Sequence, residues 1–260
     1  MPGRRLGVAL AVTALAAVGA ASALGELTQK GDIFIRFDGG ISPNALPRKA
    51  LAPVAVRVEG TIRAPAGQDP PALRRLRIAL NREGRLSTRG LPVCRKSRLR
   101  AADPPKALAA CGPALVGSGG IVARTSFEDQ SSTYLLRGGL LFFNAVVDGR
   151  PAILGHLYQS HPVPVASIIV FEIRRTGGTF GTVITGKLPL SVNRNGYLRS
   201  IFLQLQRTYS YRGKRRSYLS ARCAAPAGFP GAVFPFARAS MSFDGGRTLS
   251  SVLIRSCKVR

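Results

Sequence analysis

Apolar side chains alternate with other residues along most of the chain after residue 30, and this period of two constrains the fold more than any other feature. Ile33, Ile35 and Phe37, for example, share one face of an extended strand. The same pattern predicts further strands at 53–63, 76–80, 142–147, 150–158, 165–174, 179–187, 201–208, 218–223, 233–243 and 248–257. Many short strands with Gly and Pro between them predict an all-β chain, specifically an antiparallel β-sandwich.

Turn residues separate several of these strands. Asp148-Gly149 favours a two-residue hairpin turn. Asn81-Arg82-Glu83-Gly84 lies between the strand 76–80 and Leu86 and predicts a second hairpin, while Asp244-Gly245-Gly246 turns the last two strands. These turns indicate neighbouring strands that run antiparallel.

One short helix interrupts the strands. Asp103 is a favoured N-cap residue, and prolines occupy the first turn that follows it. The helical pattern continues to Cys111 and ends at Gly112-Pro113. The predicted fold is therefore all-β with a single short helix.

An internal repeat is a further hypothesis. Pro53-Val54-Ala55 returns as Pro164-Val165-Ala166, and Asn81-Arg82-x-Gly84-x-Leu86 returns as Asn193-Arg194-x-Gly196-x-Leu198, at an offset of 111 or 112 residues. This predicts two related β halves, 51–160 and 161–260, which can pack as one domain. The alternative is that unrelated hairpins share the same turn residues.

The N-terminus has the organisation of a secretory signal. Arg4 and Arg5 precede an uncharged apolar stretch, and Ala21-Ser22-Ala23 resembles a cleavage site. We therefore predict a signal peptide at 1–23 and an N-terminal segment with one strand at 24–50, with secretion or another extracytoplasmic location. A retained N-terminal membrane anchor is the alternative.

Four cysteines occur after the predicted signal. An even number in an exported chain indicates two disulfides, and four cysteines allow three pairings. Loop closure within each half favours Cys94 with Cys111 and Cys223 with Cys257. No C-x-x-C motif or nearby His provides zinc-site spacing, so no metal is predicted.

Charge indicates the class of partner. Lys and Arg total 38 against 12 acidic residues, which gives a formal net charge of +26 and marks a basic protein. This excludes an acidic solvating protein and favours polyanions. Arg, Ala, Gly and Pro share GC-rich codons, so genomic composition is an alternative source of the Arg excess.

The strongest candidate for a binding site is a basic hairpin turning near Gly213, with tyrosines that suit stacking beside cations. Its candidate ligand-binding residues are Arg207, Tyr209, Tyr211, Arg212, Lys214, Arg215, Arg216 and Tyr218. A hairpin kept soluble by its charges is the alternative. A second basic stretch occupies 95–100, inside the smaller predicted disulfide loop.

Acid–base groups are scarce. His156 and His161 are the two histidines, and a separation of five places them on opposite faces of a strand. Gly117-Ser118-Gly119 lacks the spacing of a nucleophile elbow. The acids considered for a glycosidase site, which form no evident pair, are Asp129, Asp148 and Glu172. We predict no catalytic residues and no cofactor, and favour a non-enzyme.

Short strings spread over the chain resemble those of a protein family. They are Leu91-Pro92-x-Cys94, Ala107-Leu108-x-x-Cys111, Ala114-Leu115-Val116-Gly117-x-Gly119, Phe180-Gly181-Thr182 and Ser217-Tyr218-Leu219-Ser220-Ala221-x-Cys223. These strings resemble uncharacterised exported proteins of high-GC actinobacteria. The resemblance implies export and compact β structure, and it implies no activity.

Together these features predict a secreted, non-catalytic binding or structural module of the cell envelope. Its expected partner is an anionic polymer, glycan or membrane surface. The charge also permits nucleic acid, although an exported protein meets little of it. The alternative function is an exported hydrolase on a β-sandwich scaffold, and the sequence does not indicate an oligomeric state.

Overall fold

The computed structural model describes residues 26–126, 133–161, 163–188 and 196–260. The predicted signal peptide 1–23, Asp129 and the second-copy turn Asn193-Arg194 lie outside the described residues. Within these ranges, no helix is long and apolar enough to cross a membrane.

Most of the described residues lie in strands, which confirms the all-β class. The strands are β1 (Glu26–Lys30), β2 (Ile33–Ser42), β3 (Ala45–Leu46), β4 (Ala52–Pro53), β5 (Ala55–Arg63), β6 (Leu73–Asn81), β7 (Gly84–Leu86), β8 (Leu115–Ser126), β9 (Thr133–Val147), β10 (Arg150–Gln159), β11 (Val165–Arg175), β12 (Phe180–Lys187), β13 (Gly196–Leu205), β14 (Thr208–Tyr211), β15 (Lys214–Ser217), β16 (Leu219–Ala221), β17 (Gly231–Phe243) and β18 (Thr248–Val259).

The predicted helix is confirmed as α1 (Pro104–Cys111). The Asp103 carboxylate accepts a hydrogen bond from the Lys106 backbone N–H at 2.9 Å and so caps the first turn. Single 3₁₀ turns occupy Lys96–Leu99 and Gly112–Ala114 on either side of α1, and a third, Asp244–Gly246, joins the last two strands.

Thirteen strands form one sheet in the order β1-β2-β5-β13-β8-β9-β10-β11-β12-β6-β17-β18-β3. The strands β6 and β13 have exchanged places, because β6 follows β5 in the chain but lies between β12 and β17, while β13 lies between β5 and β8. Strands from 51–160 and strands from 161–260 are therefore interleaved in one sheet. Two related halves are not confirmed.

The sheet curls until its first strands contact β18. The Ile254 backbone N–H donates to the Glu26 carboxylate at 2.8 Å, and Lys30 Nζ donates to the Thr248 carbonyl at 3.3 Å. One curled sheet encloses the main core, so the two separate sheets expected of a sandwich are not confirmed.

The inner face of the curl carries the predicted apolar positions. Ile33, Ile35 and Phe37 are all buried there. A second, smaller core lies on the outer side of β9 and β10, where Phe143 and Leu154 pack with residues of the 94–114 segment. This segment with its helix therefore covers part of the outer surface.

The Asp148-Gly149 hairpin is confirmed, with Val147 opposite Arg150 and positive φ at both turn residues. The hairpin predicted around residues 81–84 is wrong. Both hydrogen-bonding edges of β6 are occupied by β12 and β17, so β7 instead pairs with β16 in a small sheet of order β4-β16-β7.

Both predicted disulfides are confirmed. Cys94 is bonded to Cys111, with a sequence separation of 17, and Cys223 is bonded to Cys257, with a separation of 34. The first bond holds the outer segment closed around α1. The second links the chain after β16 to the end of β18, and such bonds are compatible with an extracellular location.

Candidate functional site

The basic hairpin consists of β14 and β15 joined by Arg212-Gly213, and both turn residues have positive φ, 52° and 71°. Such a two-residue turn matches the twist of paired strands, and Gly213 adopts this conformation without a Cβ penalty. Tyr209 lies opposite Arg216 and Tyr211 lies opposite Lys214. Both tyrosines and these two cations therefore share one face of the hairpin.

The tyrosines attach the hairpin to the body of the protein. The Tyr209 hydroxyl donates to the Arg89 carbonyl at 2.8 Å. The Tyr211 ring packs so closely on Gly90 that a Cβ placed on this glycine would lie 2.2 Å from it. A side chain at position 90 would displace the ring, so the close packing of the hairpin on this loop depends on the glycine. The tyrosines expected to stack on a ligand therefore also hold the hairpin in place.

Tyr218, included among the candidate ligand-binding residues, lies in the main core with a relative exposure of 0%. Burial raises the pKa of its hydroxyl, with a smaller contribution from Tyr209. The residue belongs to the apolar side of the β15–β16 junction, where Ser217 and Leu219 are also buried. At this position Tyr218 contributes to folding and does not reach a ligand at the surface.

The cations of the hairpin are held near one ring. The guanidinium carbons of Arg212 and Arg216 lie 5.4 and 5.7 Å from the centroid of Tyr211. These contacts are within the range of cation–π attraction. Arg215 pairs with Ser210 and so projects from the opposite face. The positive charge therefore surrounds the tip rather than one side.

No carboxylate of the described residues lies within ion-pair distance of any hairpin cation. Arg212, Lys214, Arg215 and Arg216 are exposed, whereas Arg207 at the base is partly buried. The Arg207 carbonyl accepts the Tyr218 backbone N–H at 2.8 Å, which closes the base of the hairpin. The tip is thus a concentration of exposed, uncompensated positive charge.

The second basic stretch, 95–100, forms an exposed 3₁₀ turn within the Cys94–Cys111 loop. Leu99 is buried beneath it. Arg95, Lys96, Arg98 and Arg100 project outward, so this stretch offers the same number and types of cation as the hairpin tip.

The histidines do not form a site. His156 has a relative exposure of 0%, and its Nε2 lies 2.8 Å from the Ala102 carbonyl, whereas His161 is exposed. Because a carbonyl only accepts, Nε2 carries the proton, and Nδ1 is buried with no partner among the described residues. His156 therefore fastens the outer segment to β10. No group of three or more His, Cys, Asp or Glu that could hold a metal occurs in the described ranges.

The acids considered for catalysis remain apart. Asp148 occupies an exposed turn with positive φ, and Glu172 contacts Arg174 at 3.1 Å. Ser118 is exposed on β8. None of them forms a hydrogen bond with His156, which is buried and bonded to the Ala102 carbonyl.

A surface groove of about 710 Å³ was missed by the sequence reasoning. Asp38 on β2 lies directly opposite Glu59 on β5, and both border this groove. Strand alternation places each carboxylate on the outer face, but it does not indicate that β2 pairs with β5 in this register. That pairing brings the two acids together.

No family model, no curated protein and no solved structure matches this chain. The resemblance to exported actinobacterial proteins therefore stays a prediction, as does the ligand-binding role of the hairpin.

Proposed function

We propose that the protein is a non-catalytic module of the cell envelope that binds an anionic polymer through the tip of the β14–β15 hairpin. The observation that carries this proposal is a braced hairpin whose exposed cations lack carboxylate partners among the described residues. Unpaired cations on an ordered element can neutralise an external anion without first breaking an internal ion pair.

The long-range charge acts in the same direction. A formal charge of +26 attracts polyanions from solution, and the hairpin then concentrates contacts at one place. Arg212, Arg215 and Arg216 provide planar guanidinium groups that can donate two parallel hydrogen bonds to a phosphate or sulfate. Binding should therefore depend steeply on salt, because each contact releases condensed counterions.

An extracytoplasmic location is the second part of the proposal. It is supported by two disulfides, which persist in oxidising compartments, and by the sequence of residues 1–23. A wall polymer or an acidic glycan is the anionic polymer that such a protein would meet.

The alternative, an exported hydrolase, has one observation in its favour. Asp38 and Glu59 face the same groove, as the two carboxylates of a glycosidase must. However, Asp38 contacts Arg255 and Glu59 contacts Arg57, so both carboxylates already have cationic partners. A catalytic acid is usually kept in an apolar setting instead.

The test is a salt titration of binding to poly(glycerol phosphate), a linear polyanion. In the hairpin variant, serine replaces Arg212, Lys214, Arg215 and Arg216. In the matched control, serine replaces Arg95, Lys96, Arg98 and Arg100, which removes the same three arginines and one lysine. We expect the hairpin variant to reduce the slope of log K against log salt by about 3 and the control to change it little.

Equal losses in the two variants would show that charge spread over the surface, rather than the hairpin, binds the polymer. No binding of the wild type at low salt would overturn the proposal. Preferential binding to vesicles containing phosphatidylglycerol would assign the hairpin to a membrane surface instead. Thermal unfolding of both variants checks that the fold is retained, since exposed charges contribute little to stability.

A further inference from the structure

The groove between β2, β5, β13 and β18 differs chemically from the rest of this basic protein. Its charged lining consists of two carboxylates, Asp38 and Glu59, and two guanidinium groups, Arg57 and Arg255. The local charge is therefore balanced, whereas the chain as a whole carries +26. A balanced groove is poorly suited to a polyanion and well suited to a neutral ligand.

These charges form two ion pairs, one of them largely buried. Arg255 has a side-chain exposure of only 12%, donates to the Gly39 carbonyl at 2.6 Å and forms an ion pair with Asp38. Arg57 Nε donates to Glu59 Oε1 at 2.9 Å. Asp38 is held by the largely buried Arg255, whereas Glu59 forms an exposed ion pair with Arg57, and both carboxylates retain lone pairs for hydroxyl donors. The groove thus presents ordered hydrogen-bonding groups of both kinds.

An exposed aromatic ring stands in the same row of the sheet. Glu59 lies opposite Phe202, which has a relative exposure of 38%, and Phe202 lies opposite Gly120. The Arg57 guanidinium carbon is 5.0 Å from the Phe202 centroid. Phe202 lines a neighbouring groove of about 470 Å³, which shares Arg57 and Glu59 with the first and adds one further cation, Arg137. Together they make an elongated, shallow depression with the phenyl ring within it.

Glycine keeps the floor of the groove open. A Cβ placed on Gly40 would meet no atom within 4 Å, and Gly40 does not require a positive φ. A larger residue is therefore sterically and conformationally allowed here. Its side chain would occupy the groove itself.

We propose that this groove binds a neutral polysaccharide chain. The paired carboxylate and guanidinium groups can accept from and donate to sugar hydroxyls, as ligand sites typically use a few placed polar groups. The part of the Phe202 ring that the Arg57 guanidinium leaves exposed supplies an apolar surface for one face of a pyranose ring. An elongated depression accommodates several consecutive sugars, which a compact pocket does not.

This site is independent of the hairpin. A neutral chain releases no condensed counterions, so its affinity should change little with salt. The salt-insensitive binding of a neutral glycan and the salt-sensitive binding of a polyanion are separately measurable on the same full chain.

The experiment is calorimetric titration with three neutral hexasaccharides: cellohexaose, chitohexaose and maltohexaose. Gly40→Leu fills the groove. Gly177→Leu is the matched control, because a Cβ placed on Gly177 would also meet no atom within 4 Å and this residue lies in the β11–β12 loop. We expect at least one glycan to bind the wild type and the Gly177→Leu variant equally, and Gly40→Leu to lose at least tenfold in affinity.

Phe202→Ala should weaken binding of the same glycan by about tenfold. Absence of binding by all three glycans, or equal affinity of the two leucine variants, would overturn the proposal. Release of shorter saccharides would replace it with a hydrolase assigned to Asp38 and Glu59. The four-serine hairpin variant should bind the glycan normally, which separates this result from the fate of the polyanion proposal.

Discussion

Tyr209 and Arg89, 120 residues apart in the chain, are joined by a hydrogen bond from the tyrosine hydroxyl to the arginine carbonyl. This contact and the packing of Tyr211 on Gly90 connect the basic hairpin to the loop that follows β7. The hairpin is therefore fixed to the protein body at its aromatic face, and its cations are positioned before any ligand arrives.

Tyr209→Phe tests this attachment. The substitution removes the hydroxyl but keeps the ring, so the free energy of unfolding should fall by about 1 kcal/mol. Tyr211→Phe is the matched control, because the Tyr211 hydroxyl donates to none of the described residues, and it should leave stability unchanged. Denaturant unfolding measures both variants. Equal stability of both would contradict the bracing role of Tyr209.

Tyr218→Phe should have the opposite effect. The Tyr218 hydroxyl is buried and finds no partner among the described residues, so its removal should leave the free energy of unfolding unchanged or raise it by up to about 1 kcal/mol. A clear loss of stability would show that the hydroxyl has a partner, such as a buried water.

Tyr218 should also make the stability of the protein depend on pH in the alkaline range. Burial raises the pKa of Tyr218 in the folded protein, whereas the unfolded chain ionises at about pH 10. Above about pH 10 the folded state therefore holds a proton that the unfolded state has lost. The contribution of Tyr218 to stability is complete below about pH 10 and declines as the pH rises above it. Thermal unfolding between about pH 9 and 11 should show a shallower decline in Tyr218→Phe than in the wild type.

His156→Ala distinguishes a structural histidine from a functional one. The change leaves a cavity under the outer segment and an unpaired Ala102 carbonyl, so it should cost about 2–4 kcal/mol. His161→Ala, at an exposed position, should cost less than about 0.5 kcal/mol. Neither variant should alter the affinity for poly(glycerol phosphate) while folded, and a specific loss of binding in either would assign that histidine to the site.

Asp103 gives a prediction at acidic pH. The hydrogen bond from the Lys106 backbone N–H lowers the pKa of the Asp103 carboxyl in the folded protein. The stabilisation from this bond is therefore complete when the pH is above the ordinary pKa of aspartate. It declines as the pH falls through the lower pKa of the folded state. Asp103→Ala should lower Tm at pH 7, and the difference from wild type should narrow below about pH 4. Asp103→Asn keeps a capping oxygen without the titration. The Tm difference between Asp103→Asn and wild type should also change across this pH range. The Tm difference between Asp103→Asn and Asp103→Ala should stay constant.

Local features of the fold could be predicted from the sequence. Alternation identified the inward positions of β2, and the turn at Asp148-Gly149 identified the β9–β10 hairpin. Loop closure selected the correct cysteine pairs. Each of these depends on residues close together in the chain or on which face a side chain occupies.

Partners distant in the chain could not be predicted. The pattern of β6 indicates its buried face but not that β12 and β17 occupy its edges. For the same reason, nothing in the sequence placed Asp38 beside Glu59. The candidate hairpin was located correctly, but its neighbours at Arg89 and Gly90 come from a distant segment, so the bracing role of its tyrosines was missed.

The exchange of β6 and β13 imposes an order on folding. After β6 has been synthesised, its two edges lack partners until β12 and then β17 have been made, and the edge of β5 that pairs with β13 stays open until β13 has been made. Pairing over such sequence separations is intrinsically slow and leaves strand edges exposed to aggregation. The N-terminal half cannot complete its sheet alone, so the closed sheet can form only after most of the last hundred residues have been synthesised.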